Sequence, residues 1–284
     1  YYVAAGPRHA RPQRGLITRP NGADVAAYRA HVDAAVERLI GQGPAEAAER
    51  VFTIVEIGLH HEQQHQELLL TDILHAFAQN PTDPVYDPKW GTPRATQGPR
   101  GYVDVPAGVH AIGHDGDGFC FDNEMPPHDE LIPRVRIARH LITNAEWLEF
   151  ISAGGYTTPS LWLSDAWTTV QNENWQAPGY WRQKDDGAWH VVTLGGLGPV
   201  DPTAPLQHVR YYEADAFARF AGKHLPGEME WEAAARHDII ADAFGIAWQW
   251  TRSAYLPYPG YRAVEGALGE YNGKFMVSQM VLRG

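Results

Sequence analysis

The chain has 284 residues, of which 44% are hydrophobic, so it is long enough to bury a sizeable core and to form one large or two ordinary domains. Its formal net charge of −11 disfavours nucleic acid and membrane surfaces as partners, because both present negative charge. Without a spanning apolar run or a signal-peptide pattern we expect a cytoplasmic protein, and a single cysteine excludes a disulfide framework or a zinc site built on several thiolates.

The first part of the chain is predicted to be helical. Residues 1–20 are rich in Arg, Gly and Pro and indicate a loop. Apolar residues at helical spacing predict an amphipathic helix from Asp24 to Leu39. Pro44 suits the first turn of a second helix, predicted from Ala45 to about Gln79. Two long helices joined by a short loop favour an antiparallel bundle.

The character of the sequence changes after a segment rich in Pro and Gly. Beyond that segment, short strand-like runs, many turn residues and brief helical patterns predict an irregular α+β domain. We therefore expect a helical bundle over residues 1–85, a linker over residues 86–101 and the α+β domain over residues 102–284. The chain begins with Tyr instead of Met and stops in an apolar run, so we expect a piece of a longer protein, incomplete at both ends.

A block of polar residues, HHEQQHQE at positions 60–67, interrupts the apolar pattern of the second helix. Residues four apart in a helix lie about 40° apart around its axis, so His61 and His65 point the same way. Two imidazoles at this spacing can occupy adjacent positions on one metal ion. His60 points roughly 100° away and cannot join them. The spacing alone leaves open a metal site or two exposed histidines hydrogen-bonded to neighbouring Gln and Glu.

The same letters match H-E-x-x-H, the zinc protease helix in which a glutamate, here Glu62, is the general base. The extended zinc motif fails, because Leu68 and Thr71 stand where its Gly and its third His belong. The other common form needs a downstream glutamate on a nearby helix, and no Glu occurs between Glu67 and Glu124. A zinc protease is therefore a minor alternative.

Several long segments carry a resemblance to a known family. They are GPRHARPQRGLITRP, LHHEQQHQELLLTDILH, HDGDGFCFDNE, LWLSDAW, VRYYEADAFARFAGKHLPGEMEWEAAAR, WQWTRSAYLPYPGYR and GEYNGKFMVSQMVLRG. Over essentially its whole length the chain resembles the sulfoxide synthases of ergothioneine biosynthesis, also called hercynine oxygenases. The resemblance implies a DinB-like four-helix bundle followed by a formylglycine-generating-enzyme-like domain of the C-type-lectin type.

The resemblance also implies a cofactor and substrates. The family uses non-haem Fe(II) and O₂ to join the thiol of γ-glutamylcysteine, or of cysteine in some relatives, to the imidazole C2 of hercynine, giving a sulfoxide. His61 and His65 match two of the three iron-ligating histidines, and no residue of this chain matches the third. Gln64 matches a residue that contacts the hercynine imidazole.

Three further residues match substrate-binding or catalytic positions of the family. Tyr255 resembles the active-site tyrosine that delivers a proton during the reaction with O₂, and Tyr258 matches a neighbouring aromatic residue of that pocket. Arg14 resembles an arginine that binds a carboxylate of the thiol substrate. The spaced Asp and Gly residues of HDGDGFCFDNE are not in EF-hand register and predict a structural turn.

Other activities stay open. An ovothiol-type 5-histidylcysteine sulfoxide synthase would couple cysteine to the C5 position of histidine. Formylglycine generation is less favoured, because that chemistry resembles a copper site made from two cysteines and the chain has one, Cys120. A bundle and a lectin-like domain could also form a binding module without a working metal.

Overall fold

The computed structural model describes residues 20–96, 98–263, 269 and 271–284. Its first part is a pair of helices, α1 (Gly22–Gln42) and α2 (Ala48–Ala78), joined through a short 3-10 turn at Ala45–Ala47. Both predicted helices are confirmed. Asn21 caps α1, since its side-chain oxygen accepts a hydrogen bond from the backbone N–H of Asp24 over 3.0 Å.

The two helices bury little of their apolar surface. No side chain of α1 is buried, and Leu74 is the buried residue of α2. Six large apolar side chains of the pair are more than half exposed: Val25, Tyr28, Phe52, Ile54, Leu59 and Leu69. In the described ranges no helix is long and apolar enough to cross a membrane.

The second part mixes short strands with short helices, which confirms the predicted α+β character. Its strands are β1 (Tyr102–Val105), β2 (Gly108–Ile112), β3 (His128–Ile132), β4 (Val135–Ala138), β5 (Trp181–Gln183), β6 (Trp189–Thr193), β7 (Gly196–Pro199), β8 (Gln249–Ala254) and β9 (Met280–Arg283). Its helices are α3 (Asn144–Ser152), α4 (Ser164–Glu173), α5 (Tyr211–Phe220) and α6 (Glu228–Arg236).

The strands form small antiparallel sheets. β1 pairs with β4, β2 with β3 and β8 with β9, while β5, β6 and β7 form a three-stranded sheet in chain order. The β8–β9 pair places Gln249 opposite Arg283 and has a register irregularity between Trp250 and Ala254. In β2 the more buried side chains alternate with exposed ones, as the period of two along a strand requires.

Two hydrophobic clusters form the interior of the α+β part. In the first, Trp231 of α6 packs with Ile112 of β2 and Ile132 of β3. In the second, Trp147 and Phe150 of α3 pack with residues of α4 and α5. Because α6 lies beneath β8 and β9, it also supports the loop that follows β8.

The helix α2 docks on the second part of the chain through a third cluster. Leu74 packs against Val192 and Leu194, which lie on and just after β6. Close by, the guanidinium of Arg182 donates hydrogen bonds to the Asp83 carboxylate and to the carbonyl of Ala78. These contacts fix the C-terminal end of α2.

The segment predicted as a linker lies along the surface of the α+β part. The backbone N–H groups of Tyr86 and Asp87 donate to the carbonyl of Leu194, over 3.0 and 3.1 Å. Farther on, the Thr96 hydroxyl donates to Asp242 over 2.6 Å. The described part of this segment is thus held by defined hydrogen bonds. The limits of the linker and of the two domains stay predictions.

Candidate metal and substrate site

His61 and His65 lie side by side on α2, as their spacing predicts. Their Nε2 atoms are 3.0 Å apart, their ring centroids are 4.5 Å apart, and the rings are nearly perpendicular, at 85°. One turn of helix therefore brings two imidazole nitrogens close enough to share one ion.

This geometry fits two adjacent metal ligands. Two nitrogens each about 2.1 Å from one ion and at right angles to one another would be about 3.0 Å apart. The same separation also suits a hydrogen bond between two neutral imidazoles. Over the described ranges, no group of three or more His, Cys, Asp or Glu side chains is arranged to hold a metal ion. Within the described ranges, His61 and His65 thus offer a pair of nitrogens to one ion, and their role as metal ligands stays a prediction.

Gln64 lies on the same turn and is reached by a residue from the far end of the chain. The hydroxyl of Tyr271 donates a hydrogen bond to Oε1 of Gln64. The Tyr271 ring meets the His61 ring edge to face, with 5.6 Å between centroids. It also stacks on Phe121, at 5.5 Å and 10°. Tyr271 therefore contacts both the histidine pair and the adjacent glutamine.

The segment HDGDGFCFDNE contacts the histidine block, residues 60–67 of α2, on the side of His60. It contains the predicted turn, a 3-10 turn at Asp122–Glu124. The ring of Phe119 stacks on His60 with 3.9 Å between centroids, and Phe121 lies 6.5 Å from the same ring. The predicted divergence of His60 from the pair is confirmed, because His60 faces these two aromatic residues.

Asp122 ties three loops together behind these aromatic rings. Its Oδ1 accepts a hydrogen bond from Nδ2 of Asn272 over 2.6 Å, and its Oδ2 accepts one from the hydroxyl of Tyr261 over 2.9 Å. Asn272 directly follows Tyr271 in the chain, so this carboxylate anchors the backbone that presents the Tyr271 ring.

Tyr255 lies at the end of β8 among the same loops. Its backbone N–H donates to the carbonyl of Gln279 over 2.8 Å, and its partly buried side chain hydrogen-bonds with Asn123. Burial, followed by the nearby Asp122 carboxylate, raises the pKa of the Tyr255 phenol to about 12. The phenol therefore keeps its proton throughout the neutral range.

Tyr258 lies in the interior of the α+β part. Its side chain is 6% exposed and belongs to the cluster of Trp231, and its hydroxyl donates to Glu228 over 2.9 Å. Burial and the charge of Glu228 raise the pKa of the Tyr258 phenol. Its substrate-binding role stays a prediction, and Arg14 lies outside the described residues.

A buried ionic network packs against the loop after β8, which carries Tyr255 and Tyr258. Arg283 of β9 is 3.3 Å from Glu228 and 2.8 Å from Glu232, both carboxylates of α6. Burial raises the pKa of Glu228, and the positive charge of Arg283 opposes that increase. The network links α6, β9 and, through Tyr258, the loop after β8.

Two more contacts join α2 to the second part of the chain. Nε1 of Trp248 donates to Oε1 of Glu67 over 2.7 Å. The hydroxyl of Tyr180 lies 3.4 Å from Nδ1 of His75. One face of α2, from His60 to His75, is thus lined by residues of the α+β part.

Comparison with known proteins relates the chain to two kinds of enzyme. The family described as the sulfatase-modifying factor enzyme 1-like domain matches residues 91–253. The hercynine oxygenase of Mycolicibacterium smegmatis is 30% identical over 89% of this chain and 67% of its own length. That of Mycolicibacterium thermoresistibile is 33% identical over 89% of this chain and 65% of its own.

A formylglycine-generating enzyme from Streptomyces coelicolor is 31% identical over 55% of this chain and 52% of its own length. The match to hercynine oxygenases extends farther. The part of the chain that it leaves uncovered is shorter than α1 and α2 together, so the match includes at least part of this helical pair. The chain spans about two thirds of the length of the hercynine oxygenases just described. It belongs to the hercynine oxygenase family and carries the sulfatase-modifying factor enzyme 1-like domain.

Proposed function

We propose that the protein is an iron-dependent sulfoxide synthase. Its substrates would be O₂, hercynine, and γ-glutamylcysteine or cysteine, and its product the sulfoxide in which sulfur is bonded to the imidazole C2. The observation that carries the proposal is the convergence of His61 and His65 on one point, beside Gln64. The relatives matched over most of the chain are named for the hercynine oxygenase activity.

In this proposal His61 and His65 would hold Fe(II), which when bound would supply binding of the substrate thiolate and of O₂. The helix places the two imidazoles one turn apart on one face, so both Nε2 atoms can reach one ion. Gln64 binds the hercynine imidazole through its amide, which has both donor and acceptor atoms.

Tyr255 is the proposed proton donor. Its pKa of about 12 means that the phenol holds its proton at Oη at neutral pH and can donate it to an oxygen atom that gains negative charge during the reaction. The anchoring of its loop at Asn123 and Gln279 holds the ring in one place. Arg14 is proposed to bind a substrate carboxylate, and Tyr258 to contribute to the same pocket from beneath.

We further propose that α1 and α2 are part of a DinB-like bundle, over residues 1–85. Their exposed apolar side chains support this idea, because the helices of a bundle bury such side chains against partner helices. The linker over residues 86–101 and the second domain over residues 102–284 belong to the same proposal.

The experiment that tests the function measures metal binding and O₂ uptake together. The purified full-length protein should bind Fe(II) anaerobically, and it should then consume O₂ when both γ-glutamylcysteine and hercynine are present. His61→Ala and His65→Ala should each weaken Fe(II) binding and stop O₂ uptake. Uptake that survives in His61→Ala would exclude the proposed site.

Two controls separate the alternatives. Glu62 is exposed and has Arg29 as a neighbour 3.9 Å away, so Glu62→Gln should have a mild effect, whereas in a zinc protease it would abolish activity. Mass spectrometry and NMR of the product distinguish a C2 sulfoxide of hercynine from the C5 product of an ovothiol-type enzyme. A binding module would show neither product.

A further inference from the structure

Tyr271 makes a pair of contacts that no other tyrosine of the described residues is shown to make. Its hydroxyl donates to Oε1 of Gln64, and its ring contacts the ring of His61. Tyr271 lies 207 residues beyond Gln64 in the chain. One side chain of the α+β part therefore touches a candidate metal ligand and a candidate substrate ligand at once.

The hydrogen bond has a consequence for the chemistry of Gln64. A glutamine amide has one acceptor oxygen and two N–H donors, and the two ends have nearly the same shape. When a phenol donates to Oε1, the oxygen end of the amide faces the phenol and the Nε2 end faces away from it. A substrate group that meets this end must then be an acceptor, such as the lone pair of a ring nitrogen in a neutral imidazole.

The position of the Tyr271 side chain is fixed by contacts of its ring and of the next residue. Its ring stacks on Phe121, and the next residue, Asn272, donates to Asp122 over 2.6 Å. Asp122 in turn accepts from Tyr261 over 2.9 Å. Because these groups are fixed before any ligand arrives, the direction of the Gln64 amide is also fixed beforehand.

We infer that Tyr271 is a positioning residue, which holds the Gln64 amide with its Nε2 donors available to the imidazole substrate. The inference rests on the proposed function, in which that substrate is hercynine. It assigns to Tyr271 a part in substrate orientation and none in proton transfer.

The first test is Tyr271→Phe in the full-length, iron-loaded protein. The variant keeps the ring that stacks on Phe121 and removes the hydroxyl alone. Loss of one neutral hydrogen bond should raise the Kd for hercynine, measured by calorimetry, by about three- to tenfold. The KM for hercynine should rise with it, while kcat and the KM for the thiol should change by less than about twofold. In the metal-free protein, the side-chain amide NMR signals of Gln64 should shift.

A double-mutant cycle tests whether Tyr271 acts through Gln64. Gln64→Ala removes the amide, so Tyr271→Phe should add almost nothing in that background. Tyr180→Phe is the matched control. It removes another hydroxyl that contacts α2, at His75, but one that does not touch Gln64. The fold-changes that Tyr180→Phe and Gln64→Ala cause in the Kd for hercynine should simply multiply in the double variant.

The outcomes separate this inference from the proposed function. Hercynine binding by the unchanged protein, with non-additive effects of Tyr271→Phe and Gln64→Ala, supports the orienting role. Normal binding by Tyr271→Phe, or additive effects, overturns the orienting role and leaves the proposed function intact. Failure of the unchanged protein to bind hercynine overturns both.

Discussion

Replacing Arg283 with alanine should destabilise the α+β part by about 3 kcal/mol, because it leaves buried carboxylates of α6 without their cation. The Arg283 side chain is 21% exposed, and its partners Glu228 and Glu232 are 10% and 7% exposed, so water cannot compensate for the lost charge. Removing one partner of a buried ionic pair typically costs about 3–5 kcal/mol.

The structure points to the lower end of that range. Glu232 keeps two other partners, Arg236 at 3.1 Å and the backbone N–H of Gly113 at 2.8 Å. Most of the cost therefore falls on Glu228, which keeps the Tyr258 hydroxyl at 2.9 Å. The guanidinium of Arg283 also lies 5.5 Å from the ring of Trp231, and loss of that contact adds a smaller amount.

The loss of stability should depend on pH in a definite direction. Burial raises the pKa of Glu228, and Arg283 lowers it, so the variant raises that pKa further. A carboxyl group whose pKa is higher in the folded state favours folding fully below its unfolded pKa, and this contribution is lost as pH rises through the folded pKa. The deficit of Arg283→Ala should therefore be small near about pH 4 and larger at pH 7.

Urea unfolding followed by tryptophan fluorescence measures this effect. Nine of the ten tryptophans lie between residues 147 and 250, so the signal reports mainly on the α+β part. Arg219→Ala is the control, because Arg219 makes a similar contact with Asp215, at 2.8 Å, but is itself 44% exposed. It should cost less than about 1 kcal/mol. A loss below 1 kcal/mol for Arg283→Ala at pH 7, or an equal loss at both pH values, would refute the reasoning.

Three more changes have expected outcomes. Tyr255→Phe should lower kcat at least about 100-fold, and because the pKa of Tyr255 is about 12, the pH–rate profile of the unchanged enzyme should show no loss from this group below about pH 11. Leu74→Ala should cost about 2–5 kcal/mol and increase amide hydrogen exchange in α2, since it opens the contact with Leu194; unaltered exchange would contradict this. Tyr156→Phe should cost about 1–3 kcal/mol in urea unfolding, because the fully buried Glu213 loses a 2.6 Å hydrogen bond; an unchanged midpoint would show the bond to be dispensable.

Local pattern was sufficient to predict the longer elements. The helices α1 and α2 follow from apolar spacing and from Pro44, and the ends found in the structure differ from the predicted ones by a few residues. The segment of α4, SDAWTTVQNE, was not predicted as a helix. It has no side-chain cap and several β-branched residues, and it depends on burial of Ala166 and Val170 in the core.

In the candidate site, too, local features could be predicted from the sequence and long-range contacts could not. The orientation of His61 and His65 depends on helix geometry alone, so the sequence predicted it correctly. The neighbours of the pair depend on how distant loops pack on α2, and no periodicity encodes that. Tyr271 and Phe121 were present in the segments that carried the family resemblance, but their contacts with the histidine block could not be foreseen. Nor could a pattern show that Tyr258 would be buried.

The long sequence separations within the site bear on how the protein acquires its activity. Gln64 and Tyr271 are 207 residues apart, and Glu67 and Trp248 are 181 residues apart. On the ribosome the histidine helix is therefore synthesised long before the residues that will surround it. Contacts of this range form late in folding, because a long loop must close first. The pairing of His61 and His65 depends on contacts within α2 alone, whereas the surroundings of the pair are completed only when Trp248 and Tyr271 pack on α2.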